Sequence, residues 1–313
     1  MAGPIAKARH VAHRSRRQGT SSLFRATLSV ALVLTSALAV IAARSALSQS
    51  SAVGSAPVAS QVAVDGLATG ACMSFAPTTH GSGKTVFLDP GHGGLDPGVV
   101  GVSGGRQVLE KDIALAVSTR LTALLRAAGY TVVMSRITDS SVARLSDADS
   151  VSGAMTASAV HRDLLARTAC ANAANSSVMV SIHFDAFDDP SVGGTETFYD
   201  SARPFAPQSK ALASALQTAL VSELDSGDRG VWTDDQLAAP TLTPSGSNYG
   251  HLILLGPASR GWVDNPSRMP GALVEPLFLT NPNEARFAAD PAGQQRIAVG
   301  LNAGLERYLS STP

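Results

Sequence analysis

Four residues stand where side-chain type and surroundings could support chemistry: His92, Glu110, His183 and Glu275. His92 lies in Asp89-Pro90-Gly91-His92-Gly93-Gly94-Leu95-Asp96-Pro97-Gly98, a stretch so rich in Gly and Pro that its backbone must turn sharply. Its flanking glycines carry no Cβ, so the imidazole can approach a ligand closely; an ordinary loop histidine is the competing reading. His183 ends the apolar run VMVSIH and is followed by Asp185, Asp188 and Asp189. Histidines at equivalent ends of two strands could converge on one point, and neutral imidazole is the commonest metal ligand. Glu110 falls three residues before Ile113, at the head of a segment whose apolar stripe is Ile113, Val117, Leu121 and Leu124. It therefore projects inward, where a carboxylate needs a partner. A first-turn carboxylate stabilised by the helix dipole is an equal reading, for which Asp112 would serve as well. Together, His92, Glu110 and His183 would supply three protein ligands and leave a fourth position open, the pattern that separates catalytic from structural zinc. Glu275 interrupts ALVEPLF, and a charge in an apolar strand is costly unless it faces a polar cavity. It could be a general base, or a glutamate wetted at a strand end.

Other patterns fail on context. Ser82-Gly83-Lys84-Thr85 resembles the tail of a phosphate-binding loop, but position 78 is Thr and the segment precedes a strand instead of following one. Gly101-Val102-Ser103-Gly104-Gly105 fits G-x-S-x-G without a strand immediately before it. Gly91-His92-Gly93 opens like a dinucleotide loop, yet Asp96 stands at the final glycine position. No H-E-x-x-H helix is present, and no pair of Cys-x-x-Cys knuckles.

The elements that must position these residues follow from periodicity. Strands are expected at 85–89, 131–135, 178–183, 195–199, 251–255 and 272–278, and helices at 108–127, 160–174, 208–223 and, with interruptions, 283–309. Their alternation indicates a single α/β domain with a twisted, largely parallel sheet flanked by helices. The candidate site then falls at the C-terminal edge of the strands, where open α/β sheets bind ligands. Residues 137–159, polar and alanine-rich, read as an insertion or long loop. No repeat of 20 to 50 residues is visible.

Composition places the domain in its compartment. Of 313 residues only 15% are charged, and the formal net charge is +0. That balance is uneven: seven bases precede residue 48 and the first acid is Asp65, so 17 bases against 24 acids leave the remainder at −7. A polyanion-binding body, and nucleic acid as partner, are disfavoured. Residues 1–48 form a basic leader followed by 18 uncharged residues, 26–43, which read as an export signal cleaved near 43–48 or as a membrane anchor. Ser15-Arg16-Arg17 lacks the apolar residues that should follow a twin-arginine signal. Residues 49–80 are Ala/Ser-rich and read as a flexible linker, leaving 81–313 as the folded domain. Cys72 and Cys170 are the only cysteines, and an exported chain with an even count favours one disulfide; two unrelated thiols are the alternative.

Four blocks in order, VFLDPGHGGLDPG, LEKDIALAVSTRL, VMVSIHFDA and LVEPLFLTNPNEA, resemble the signatures of the zinc-dependent N-acetylmuramoyl-L-alanine amidases, the type 3 catalytic domain that includes cell-separation and sporulation amidases. The resemblance spans about 84–309 and implies His92, Glu110 and His183 as zinc ligands and Glu275 as the catalytic glutamate. Arg167, Asn172 and Asp228-Arg229-Gly230-Val231 also look like family positions, structural or substrate-facing. Asp185 departs, because the family usually carries Asn after the histidine. The implied activity is hydrolysis of the amide between the lactyl group of N-acetylmuramic acid and L-alanine in peptidoglycan or muropeptides, by a monomeric, secreted or N-terminally tethered autolysin. A zinc peptidase cutting within the stem peptide, or a non-catalytic wall-binding regulator, are the alternatives.

Overall fold

Val86–Leu88, Val132–Met134 and Val178–Ile182 are short, largely β-branched apolar runs, and they form the fully buried middle of an eight-stranded sheet. The computed structural model describes residues 59–236 and 249–311; the leader and the 26–43 segment lie outside the described residues. The strands are β1 (Ser60–Gln61), β2 (Ala71–Phe75), β3 (Thr85–Pro90), β4 (Val100–Ser103), β5 (Arg106–Leu109), β6 (Thr131–Arg136), β7 (Ser150–Val151), β8 (Ala154–Met155), β9 (Val178–Ile182), β10 (Thr195–Tyr199), β11 (Asp228–Thr233) and β12 (Gly271–Glu275). The helices are α1 (Glu110–Ala127), α2 (Ala157–Ala173), α3 (Ala206–Leu224), α4 (Pro282–Ala289) and α5 (Pro291–Ser311).

The main sheet has the order β1-β2-β6-β3-β9-β12-β10-β11. Its centre, β6, β3, β9 and β12, is parallel. β2 joins β6 antiparallel on one side, and β10, with its parallel neighbour β11, runs against β12 on the other. Strands β3, β9 and β12 therefore end at one edge of the sheet, and β10 and β11 end at the opposite edge.

The two-residue strand period divides the core into two layers. Val86, Leu88, Val180 and Ile182 face the apolar stripes of α1, α3 and α5, among them Val117, Leu121, Leu216, Leu220, Leu301 and Leu305. Phe87, Val133, Met179 and Leu273 face the other way, onto Leu67, Ala171, Leu254, Leu255 and the Cys72–Cys170 disulfide. That disulfide joins β2 to α2 across 98 residues, and disulfides typically stabilise a fold by roughly 2 to 4 kcal/mol.

Several expectations need correction. The folded domain begins by residue 59 rather than 81: residues 60–75 of the expected linker supply β1 and β2, and Leu67, Ala71 and Cys72 are buried. Their Ala/Ser/Gly composition hides the few apolar side chains that dock, and the disulfide holds them. No strand forms at 251–255. The N–H groups of Leu255 and Gly256 both donate to the Leu252 carbonyl, closing a turn whose leucines cover the sheet. The strand expected at 272–278 stops at Glu275, because Pro276 cannot donate to the ladder. The interrupted helix at 283–309 is two helices, α4 and α5, with Asp290 held extended before Pro291. Edge strand β11 was missed, since DRGVWT is half-exposed and lacks an apolar alternation. Within 137–159 the hairpin β7–β8 is an excursion, but Val142 and Ala143 are buried.

Candidate metal centre

Strand β3 leads straight into the loop that carries His92, and two buried arginines hold that loop. Arg167 of α2 donates to Asp89 Oδ1 (2.9 Å), Asp163 Oδ2 (2.8 Å), the Pro90 carbonyl (2.9 Å) and the His92 carbonyl (2.6 Å). Arg136, at the end of β6, donates to the carbonyls of Pro90 (3.1 Å), Gly91 (2.7 Å) and Lys111 (2.8 Å). With its carbonyls fixed, His92 is kept at φ +59°, in the left-handed region that non-glycine residues seldom occupy. A Cβ on Gly91 would run into the His183 ring, and one on Gly98 into Glu110, so both glycines are required by close approach.

His183 follows the last residue of β9, and its own N–H donates to the Val274 carbonyl of β12 (3.0 Å). Glu110 opens α1 and is 2% exposed, whereas Asp112 faces solvent, so Glu110 is the inward carboxylate. The three side chains meet: Glu110 Oε1 lies 3.0 Å from His92 Nε2 and 3.0 Å from His183 Nδ1, and the two nitrogens are 3.1 Å apart.

The outer contacts fix the ligand atoms. Asp96 Oδ2 is 2.8 Å from His92 Nδ1, so the imidazole donates there and turns the Nε2 lone pair inward. Glu110 Oε1 also accepts the Phe184 N–H (3.0 Å), and Oε2 accepts the Val99 N–H (2.8 Å). Burial disfavours charge on His92, but hydrogen bonds with Asp96 and Glu110 outweigh it and raise the imidazole to about 9. Burial likewise opposes the Glu110 carboxylate, and hydrogen bonds from His183 and His92 outweigh it and hold Glu110 well below the usual range. Two imidazole nitrogens and a carboxylate oxygen converge at about 3 Å on one point, which either the imidazole protons or a bound cation must fill. The set of two histidines and one glutamate, with the glycines clearing space around it, fits a zinc ion.

Glu275 ends β12 beside His183, and its Oε2 is buried with no hydrogen-bond partner. Burial, then the charges of Glu110, Asp185 and Glu196, push its carboxyl well above the usual range. A cavity of about 210 Å³ runs from His92 and His183 along the sheet to an apolar wall that includes Val160, Leu164 and Leu252–Leu255. Of the other positions singled out in the sequence, Arg167 belongs to the loop clamp. Asn172 instead ties the 266–268 segment to α2, and Arg229 pairs with Glu196 at 2.9 Å. Arg136 and Asp96 were not singled out. Their signals were an arginine closing the apolar run TVVMSR, and a carboxylate four residues after the loop histidine.

The family described as N-acetylmuramoyl-L-alanine amidase matches residues 86–307. The germination-specific N-acetylmuramoyl-L-alanine amidase of Bacillus subtilis is 30% identical over 229 residues, covering 73% of this chain and 81% of that protein. The amidase AmiC of Neisseria meningitidis is 31% identical over 254 residues, 74% of this chain and 54% of its own length. LytC of Bacillus subtilis is 29% identical over 226 residues, 72% of this chain and 36% of its own. The chain thus spans about a third to a half of the last two relatives. The solved CwlD amidase of Clostridioides difficile, in complex with the GerS lipoprotein, superposes with a TM-score of 0.57 at 27% identity, over 73% of this chain and 100% of that one. The match runs from the core of β3 into α5 and takes in all four candidate residues; the chain belongs to the N-acetylmuramoyl-L-alanine amidase family.

Proposed function

We propose that this chain hydrolyses the amide between the lactyl group of N-acetylmuramic acid and L-alanine in peptidoglycan, with His92, Glu110 and His183 holding zinc and Glu275 carrying the proton. The observation that carries the reading is the meeting of three ligand atoms at 3.0 to 3.1 Å beside a buried, unpartnered carboxyl oxygen of Glu275. Zinc held there supplies Lewis acidity, polarising a carbonyl and acidifying water. Asp96 keeps His92 in the tautomer that offers Nε2, and the Val99 and Phe184 N–H groups orient the Glu110 carboxylate. Glu275 Oε2, with no lone pair committed elsewhere, accepts the proton of the attacking water and delivers it to the departing alanine nitrogen. The raised affinity of Glu275 for a proton suits that two-way transfer.

The same reading makes the protein an extracytoplasmic monomer that remodels the wall, with 26–43 as export signal or anchor. The Cys72–Cys170 disulfide supports an oxidising compartment. Gel filtration and N-terminal sequencing of the mature chain test these two points. The activity is tested by incubating the chain with purified peptidoglycan, with and without a chelator, and weighing the fragments by mass spectrometry. Stem peptides with a free N-terminal L-alanine, lost on chelation and restored by zinc, are expected. Cuts within the stem peptide would replace the reading with a zinc peptidase, and an intact wall that retains the protein would replace it with a binding protein.

A further inference from the structure

At the edge of the sheet opposite His92 and His183, β10 and β11 are followed directly by Asp200 and Asp234. Both aspartates are buried, at 2% and 3% exposure, and come together with the half-buried His251. One oxygen of each carboxylate has a backbone donor: Asp200 Oδ1 accepts the Ala202 N–H (2.7 Å), and Asp234 Oδ2 accepts the Leu252 N–H (2.9 Å). The other two oxygens face one atom, His251 Nδ1, at 2.9 Å from Asp200 Oδ2 and 3.3 Å from Asp234 Oδ1.

A single imidazole nitrogen cannot satisfy this arrangement. As an N–H it can aim at one oxygen, and Asp200 Oδ2 is buried without a hydrogen bond. As a lone pair it is repelled by both. The charge of nearby Arg203 acts on Asp200 from a distance, but its hydrogen bonds go to the carbonyls of Leu255 and Gly256 and to Ser267, and no ion pair joins it to a carboxylate among the described residues. Burial pushes Asp234 up to about 6, against the Leu252 N–H and reinforced by the charge of Asp200. Two buried carboxylates beside one imidazole are costly without a further positive charge.

We propose that Asp200, Asp234 and His251 form a second divalent-cation site, separate from the first and taking zinc. One nitrogen and two oxygens at this spacing suit zinc, whereas calcium and magnesium require six or more oxygens, much of that shell from water or further carboxylates. The cation fastens the ends of β10 and β11 to the 249–256 turn. Leu252 links the two regions, since its N–H reaches Asp234 and its side chain lines the cavity that opens at His92 and His183. The site is therefore structural, bracing one wall of that cavity.

Zinc stoichiometry tests this without reference to activity. The full untagged chain is stripped with a chelator, reloaded with zinc, separated from excess ion and analysed by inductively coupled plasma mass spectrometry. Two zinc ions per chain are expected, falling to one in His251→Gln, one in His183→Ala and none in the double variant. His251 is partly exposed, so His251→Gln keeps its fold, checked by circular dichroism; Asp234→Asn should give the same loss. One zinc in the wild type, absent from His183→Ala and untouched by His251→Gln, overturns the proposal, as does a count of two that survives both His251→Gln and Asp234→Asn. One zinc lost in His251→Gln and kept in His183→Ala upholds this site and sinks the zinc assignment to the first.

Discussion

The two halves of the candidate site are built on opposite terms. In the ligand half nearly every polar atom is committed: Asp96 holds His92, backbone N–H groups hold both oxygens of Glu110, and Arg136 and Arg167 hold the carbonyls beneath the loop. In the glutamate half Glu275 Oε2 has no partner, and the carboxylates of Glu110, Asp185 and Glu196 surround it. Coordination needs fixed directions, which satisfied neighbours provide. Proton transfer needs a lone pair that is still uncommitted. Removing a support should therefore damage the ligand half through metal affinity and stability, whereas removing the Glu275 carboxylate should cost turnover.

The largest effect should come from His183→Ala, which removes one of the three proposed zinc ligands. Zinc content at this site should vanish and amide hydrolysis should fall by roughly 10⁴-fold or more, a loss of several kcal/mol of transition-state stabilisation. Retained zinc and activity would show that the ligand half is misassigned. Glu275→Gln should lower kcat by about 10² to 10⁴-fold while zinc content stays at the wild-type value and the melting temperature does not fall, since Gln removes the cost of a buried carboxylate. An active Glu275→Gln enzyme would falsify the proton-carrier role.

Arg167→Met tests whether the ligand half depends on its buried clamp. It strands Asp89 and Asp163 and should cost about 3 to 5 kcal/mol in denaturant unfolding. Burial raises Asp89, but Arg167 and hydrogen bonds bring it below its ordinary 3.8. Its stabilisation is complete above 3.8 and disappears as pH falls through the lower folded value, so the variant should lose the wild type's resistance in an acid titration. An unchanged acid midpoint would separate the clamp from stability.

The smallest effect belongs to Asp185→Asn, in the crowded half. Burial and the proton shared with Glu196 raise Asp185 to about 7 from 3.8. The raised value means that the fold loses stability as pH climbs from 3.8 to about 7 and stays at the lower level above it. Asn removes that penalty, so its melting temperature should exceed wild type at pH 8 and match it at pH 4. Equal curves at both values would show that crowding around Glu275 costs the fold nothing.

Much of this was visible in the chain itself where chemistry demanded an unusual local pattern. A histidine between glycines, a carboxylate on an apolar stripe and a glutamate inside an apolar strand are each costly without a purpose, so they stood out. The parallel strands β3, β6 and β9 were equally legible, because burial on both faces leaves continuous β-branched runs. Sequence types could not choose between Glu110 as ligand and as dipole carboxylate, nor join His92 to His183 across 91 positions. Only the register of β3, β9 and β12 brings those ends to one edge. Long-range packing likewise recruited the Ala/Ser-rich 60–75 segment into the sheet and bent 251–255 into a turn, since both depend on a surface supplied by distant residues. The sequence determined which groups could act. Tertiary structure decided which of them meet, because convergence depends on strand order and on the carbonyls that two arginines reach far along the chain, and neither can be read from local pattern.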